Sequence, residues 1–228
     1  MARQYTKAQI EAMIEKAAES MATFYQQDFI KFRGRTCDSD ELYSEITARW
    51  CCDNISRFED IPMITRETSY MTASHDGIPP NSKSNRNEEL IAMAIFRQGD
   101  LPPVGKILDY QTPLKNKRSD KAGKIDLLSF DGKQLRILEL KDPDNEETML
   151  RCVLEGFTYL KTVNYEKLLC DFSLPEETMI QTCPLVFHGG VQWQEMQQER
   201  PELFKLMKLW GCRPYYLRFY LNRYVVEV

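Results

Sequence analysis

Gly-Lys-Ile-Asp-Leu-Leu-Ser-Phe-Asp-Gly-Lys-Gln-Leu-Arg-Ile-Leu-Glu-Leu-Lys, residues 123–141, is the stretch on which the reading of this chain turns. Two apolar runs flank Asp131-Gly132, a strong short-range signal for a β-hairpin. Asp142-Pro143 then stops the second strand, because proline has no N–H to give to a ladder. Side chains alternate faces along a strand, so Ile137, Glu139 and Lys141 share one face while Leu138 and Leu140 share the other. A two-residue loop at Asp131-Gly132 sets Asp126 opposite Ile137. A four-residue loop ending at Gln134 sets it opposite Glu139. Both even loops keep the same parity, so either register puts Asp126, Glu139 and Lys141 on one face. A three-residue loop breaks this arrangement.

Carboxylates on cross-strand neighbours stand roughly 5–8 Å apart, about the span a divalent cation bridges. The acids hold a hard cation that prefers oxygen ligands, and the lysine orients a water or stabilises developing negative charge. The competing reading is an ordinary solvated Glu-x-Lys pair. Against it, Ile137, Leu138 and Leu140 make the strand look buried on both faces, where an unpaired acid is costly.

Asp126, then Glu139-Leu140-Lys141 after a short hairpin, resembles the PD-(D/E)XK nuclease superfamily, with a helix expected next over about 146–163. The resemblance covers roughly residues 81–228, and its specific part is confined to 123–141. The proline usual before the first acid is absent, and Ile125 stands there. The resemblance implies an α/β fold of the restriction-endonuclease-like type, a mixed β-sheet flanked by helices, with an N-terminal helical extension. It implies Mg²⁺ (or Mn²⁺) as cofactor and hydrolysis of phosphodiester bonds, with DNA favoured over RNA as partner. A glutamate early in the helix before the hairpin often supplies another ligand in that family. Glu88 and Glu89 are the candidates, Glu88 narrowly ahead on the apolar spacing behind it (Ile91, Ala92, Ile95). Asn85-Arg-Asn-Glu88 is also a capping box, the plainer account of Glu88. The helix after the hairpin often carries a polar residue into the site. Arg151 is the candidate, set against a surface i,i+4 pair with Glu155.

Outward from the hairpin, Lys115-Asn-Lys117-Arg118-Ser-Asp-Lys121 is a basic loop entering it. It is either a solvated connection or a source of phosphate contacts, since lysine and arginine supply the sequence-independent part of nucleic-acid affinity. Further upstream, a first helix is expected from Thr6 to about Lys31, and a second from Asp38, Ser39 or Asp40 to about Phe58. Phe24, Tyr25, Phe29 and Phe32 read as core or dimer contacts. Lys31-Phe-Arg33-Gly-Arg35 complements a helix C-terminus or, more sharply, binds phosphate. Residues 61–87 carry loop chemistry, with His75 as a loop histidine. They divide an N-terminal helical region, 1–80, from a core, 81–228. Downstream, strands are expected over 104–114, 180–187, 215–220 and 224–228, with a helix over 192–210 broken or kinked at Pro201.

The chain has 228 residues, 43% of them hydrophobic, enough for one large domain with a packed core. Its net charge of −4 excludes a dedicated basic nucleic-acid coat, though not a nuclease with a local basic rim. The seven cysteines include no Cys-x-x-Cys and the two histidines lie far apart, so zinc is not expected. Reduced, mostly buried thiols are. With neither an 18-residue apolar run nor a signal-peptide pattern, the reading is cytoplasmic, with no membrane association and a homodimer left open. The rival to a nuclease is a non-catalytic nucleic-acid- or protein-binding module that keeps the restriction-endonuclease-like fold.

Overall fold

A computed structural model describes residues 4–78, 87–116 and 123–227. The Asp131-Gly132 hairpin forms as β3 (Lys124–Phe130) and β4 (Gln134–Leu140). Phe130 pairs with Leu135, which leaves the four residues 131–134 in the loop. Gly132 stands at φ +97°, a conformation that suits glycine. Asp131 closes the turn: its Oδ1 accepts the N–H groups of Lys133 and Gln134, both at 2.9 Å. β4 is buried along nearly its whole length, as its apolar composition requires.

The hairpin lies inside a seven-stranded sheet of order β1-β2-β3-β4-β5-β6-β7. β1 (Asp100–Leu101), β2 (Gly105–Pro113), β3 and β4 are antiparallel neighbours. β5 (Met179–Phe187) runs parallel to β4, and β6 (Tyr215–Tyr220) parallel to β5. β7 (Arg223–Glu227) returns antiparallel at the edge. The class is therefore mixed α/β, a sheet flanked by helices.

Each face has its own apolar core. On one, α3 (Asn87–Gln98) lays Ala92 and Ile95 against Leu101, Leu127, Leu138 and Leu140. On the other, α4 (Met149–Thr162) lays Val153 and Phe157 over Leu128, Leu135 and Ile137. Ile137 and Leu138 thus bury in opposite cores, as period-two alternation demands. α2 (Tyr43–Asp53), α5 (Tyr165–Asp171), α6 (Val191–Met196) and α7 (Pro201–Leu209) complete the helical cover, and Pro201 occupies the first turn of α7. Ile10, Phe24, Ile46 and Phe58 join the same core as α4 and α7, so the N-terminal helices are a layer of the main core.

Two expected helices are shorter. α1 (Lys7–Ala17) gives way to two 3₁₀ turns, Met21–Gln26 and Asp28–Lys31. Phe24-Tyr25 and Phe29-Ile30 are both consecutive buried pairs, which one narrow α-helical stripe cannot present. α2 starts only at Tyr43, with no side-chain cap. Asp40 has φ +54°, and Asp38 instead accepts the Lys7 N–H at 2.9 Å. α5 was not foreseen. Five cysteines are buried and two, Cys37 and Cys170, exposed, all as free thiols. Among the described residues no helix is long and apolar enough to cross a membrane.

Candidate active site

The β3–β4 register, carried one step past the Leu127–Leu138 pair, sets Asp126 opposite Glu139. On its other side, the β2–β3 register sets Gln111 opposite Asp126. Gln111, Asp126 and Glu139 therefore form a row across three strands. Gln111 donates its Nε2 to Asp126 Oδ1 at 2.9 Å, and the Leu140 N–H donates to Oδ2 at 2.9 Å. Gln111 itself has φ +47°, a strained backbone for a residue with a side chain.

Glu139 faces α4, where Gly156 makes room for it. A Cβ on Gly156 would collide with Thr182 Oγ1 and would come within 3.8 Å of Glu139 Cβ. Helix and sheet therefore pack closely beside this carboxylate. Two residues on, Lys141 shares its face and donates Nζ to Glu139 Oε1 at 2.6 Å. Lys141 also lies 3.3 Å from Glu155 of α4 and 3.3 Å from Glu147 of the preceding loop. Arg151 lies 3.4 Å from Glu155 and donates to the Tyr25 carbonyl at 2.9 Å. Tyr159 donates its hydroxyl to Glu155 at 2.8 Å.

In this cluster the carboxylates of Asp126, Glu139, Glu147 and Glu155 outnumber the cations of Lys141 and Arg151. Buried negative charge in excess of its partners favours proton uptake. Burial pushes the Asp126 carboxyl up to about 7, against the pull of Lys141 and the Leu140 N–H, with Glu155 and Glu88 adding to the rise. Burial and Glu155 raise Glu139 well above the usual carboxylate range, against Lys141. Glu155 resists its own burial and is held low by Lys141 and Arg151. Lys141, buried but ringed by acids, keeps its proton more tightly than a free lysine.

Asp126 also opens onto solvent. It lines a cleft of about 520 Å³ with Glu88 and Glu89 of α3, Gln111, Lys124, Asp142 and Asn145. Glu88 reaches the loop after β4, accepting from Asn145 Nδ2 at 2.9 Å and from the Asp142 N–H at 3.4 Å. Asn85, the partner expected to cap with it, lies outside the described residues.

The structure thus gathers Asp126, Glu139, Lys141 and Arg151, with Glu88 and Glu89 at the cleft. The side chain of Arg151 is only 12% exposed and committed to Glu155 and Tyr25, so it is no surface pair and offers no free phosphate contact. The basic loop is described only as far as Asn116, with the Lys115 carbonyl accepting from Arg66 at 2.9 Å; Lys117, Arg118 and Lys121 lie outside the described residues. His75 is more than a loop residue, since its Nδ1 meets buried Asp109 at 2.6 Å and its ring stacks on Tyr110. Glu147 and Gln111 went unrecognised, and Glu155 was read only as the surface partner of Arg151. The available signal was Glu155 as a lone acid inside the apolar run 152–157.

Among the described residues no three His, Cys, Asp or Glu side chains are already arranged to hold a metal ion. The donor set is nevertheless all oxygen, with carboxylates in excess of cations, and suits a hard cation in its chemistry. Compared with protein-family models, with curated proteins and with solved structures, the chain matches none.

Proposed function

We propose that this chain is a metal-dependent phosphodiesterase acting on nucleic acid, with DNA ahead of RNA, by the chemistry of the PD-(D/E)XK nucleases that residues 123–141 resemble. The observation that supports this most is the row Gln111–Asp126–Glu139, with Lys141 on the same face and an open cleft at Asp126. A helix, α3, precedes the hairpin in the chain and another, α4, follows it, the order that the resemblance implies.

Asp126 and Glu139 would hold Mg²⁺ or Mn²⁺, with Glu88 at the cleft. When bound, the cation would polarise a phosphoryl oxygen and make a bound water more acidic. Gln111 and the Leu140 N–H fix the Asp126 carboxylate, so that its orientation is set before substrate arrives. Lys141 brings a fixed positive charge to the place where negative charge develops as water adds to phosphorus and the ester oxygen leaves. Lys124, lining the cleft beside Asp126, offers an adjacent phosphate a cation.

One observation favours the rival, a non-catalytic nucleic-acid- or protein-binding module of the same fold. Lys141 is saturated by Glu139, Glu147 and Glu155, and a lysine so held can be structural. Calorimetric titration of Mn²⁺, run with cleavage assays on plasmid and single-stranded substrates, separates the two. The nuclease reading expects metal binding and cleavage to be lost in Asp126→Ala and Glu139→Ala. It expects Lys141→Ala to lose cleavage while keeping much of the metal binding. Unchanged binding and cleavage in the two acid variants would overturn it.

A further inference from the structure

Away from the carboxylate row, a cavity of about 510 Å³ opens between the loop before α2 and the junction of α6 and α7. Arg33, Arg35 and Arg200 line it from two separate segments, together with Ser44, Gln194 and Gln198. Gly34, at φ +118°, lets the chain turn between the first two arginines. Arg200 is 6% exposed. Its guanidinium reaches only neutral acceptors, Gln198 Oε1 at 3.1 Å and the Glu199 carbonyl at 3.4 Å. Its Nε has no hydrogen-bond partner, and among the described residues no carboxylate stands within ion-pair distance of it. A buried cation with no carboxylate in direct contact is costly, and an incoming anion removes that cost.

The other two arginines hold weak partners. Arg33 meets Glu146 at 3.2 Å and Arg35 meets the Asp40 carboxylate at 3.5 Å, with those acids 78% and 85% exposed, and Arg35 also donates to the Asp40 backbone carbonyl at 2.5 Å. Solvated pairs of this kind contribute ~0–1 kcal/mol and exchange readily for a better acceptor. The remaining acid of the pocket, Glu195, is occupied by the Met149 N–H at 2.7 Å. Burial raises its pKa, against that N–H and the two arginines Arg200 and Arg33. Three arginines face two carboxylates, Asp40 and Glu195, in the pocket lining, so positive charge is in excess here, the reverse of the balance at Asp126.

We propose that this pocket binds a phosphate group. Planar guanidinium forks match phosphate oxygens two at a time, and arginine is the side chain suited to that geometry. A planar carboxylate has two oxygens to offer, whereas donors line both walls here: forks from Arg33, Arg35 and Arg200, a hydroxyl from Ser44 and the amide of Gln198. The phosphate is either free inorganic phosphate or the phosphodiester of a nucleic-acid strand. The second source fits the neighbourhood, because Lys31 and Arg33 pair with Glu147 and Glu146, and Glu147 in turn contacts Lys141. The phosphate site does not depend on the hydrolytic reading, and it is tested without metal or cleavage.

Inorganic phosphate titrated calorimetrically into the full chain, in EDTA at low ionic strength, is the test. Wild type should bind it. Arg33→Gln combined with Arg35→Gln should weaken binding at least tenfold, while Lys133→Gln, which removes one charge at the distant hairpin turn, should leave it unchanged. Both arginines are exposed enough for the double variant to fold, and Arg200→Lys adds a buried probe that keeps the charge but loses the fork. Competition against a labelled single-stranded oligonucleotide assigns the source. Displacement by phosphate identifies a backbone phosphodiester, and phosphate binding without displacement identifies the free ion. No phosphate binding by wild type, or equal weakening by Lys133→Gln, overturns the proposal.

Discussion

Lys141 Nζ lies 2.6 Å from Glu139 Oε1, with only 5% and 4% of the two side chains exposed. The pair is unequal. Burial and Glu155 push the Glu139 carboxyl up, against Lys141, while the surrounding acids make Lys141 hold its proton more tightly. The side-chain carbonyl of a glutamine at 139 keeps an acceptor for Lys141 Nζ without adding a negative charge to the cluster. Glu139→Gln should therefore cost less than about 1 kcal/mol of stability, within the scatter of a conservative change. Lys141→Met strands the charges of Glu147 and Glu155, and should cost about 3–5 kcal/mol, the usual loss when one partner of a buried ionic group is removed. Urea unfolding of both variants at neutral pH checks this. Equal losses would mean that Glu139 is charged in the fold.

Asp131 makes the hairpin turn sensitive to acid. Its burial is outweighed by the Gln134 N–H, by Arg136 at 2.7 Å and by the Lys133 N–H, which bring the carboxyl down to about 2. A carboxylate whose folded pKa lies below its unfolded value, ~3.9, stabilises the fold fully above that value. The contribution is lost as pH falls from about 4 through 2. Asp131→Ala should cost about 1–2 kcal/mol at pH near 7, and the gap to wild type should shrink below pH ~3. A gap that persists in acid would show that the turn loses backbone geometry, not a charge.

Gly156 sets how closely α4 approaches the sheet beside Glu139. Gly156→Ala pushes a methyl into Thr182 Oγ1, whose hydroxyl is buried without a hydrogen-bond partner. Overpacking of this kind costs about 1–3 kcal/mol. Thr182→Ala removes the obstructing oxygen, so the double variant should recover much of the loss. Additive effects in that cycle would place the strain elsewhere.

The hairpin and the face shared by Asp126, Glu139 and Lys141 were legible because strand periodicity and an even loop fix them without any tertiary knowledge. The loop length was not fixed, since Asp131-Gly132 suits both a two-residue and a four-residue turn; the Asp131 side chain bonding to Lys133 and Gln134 selects the longer one. Glu155 was misplaced for a different reason. Its i,i+4 spacing to Arg151 is the signature of a solvated pair, and only the burial of α4 on nearly every side turns that pair inward. Arg200 shows no sequence signal at all. Its burial follows from α7 docking on α2, a contact between segments about 150 residues apart.

That docking rests on Glu45. Pro201 opens α7 without an N–H, and the helix has no side-chain cap of its own. The next two amides, Glu202 N–H and Leu203 N–H, donate to Glu45 of α2 at 2.8 and 3.2 Å. A buried carboxylate thus caps a helix from a distant element, satisfying orphan amides and facing the positive end of the dipole. Glu45→Ala should cost about 1–2 kcal/mol, the typical loss of an N-cap. Glu45→Gln keeps one acceptor but not the charge, and should cost less. Trp210, at the C-cap of α7 and stacked on Phe157 at 3.8 Å, reports the change by fluorescence during urea unfolding. Wild-type stability in Glu45→Ala would show that water caps α7 equally well and that the helix is held by its apolar face alone.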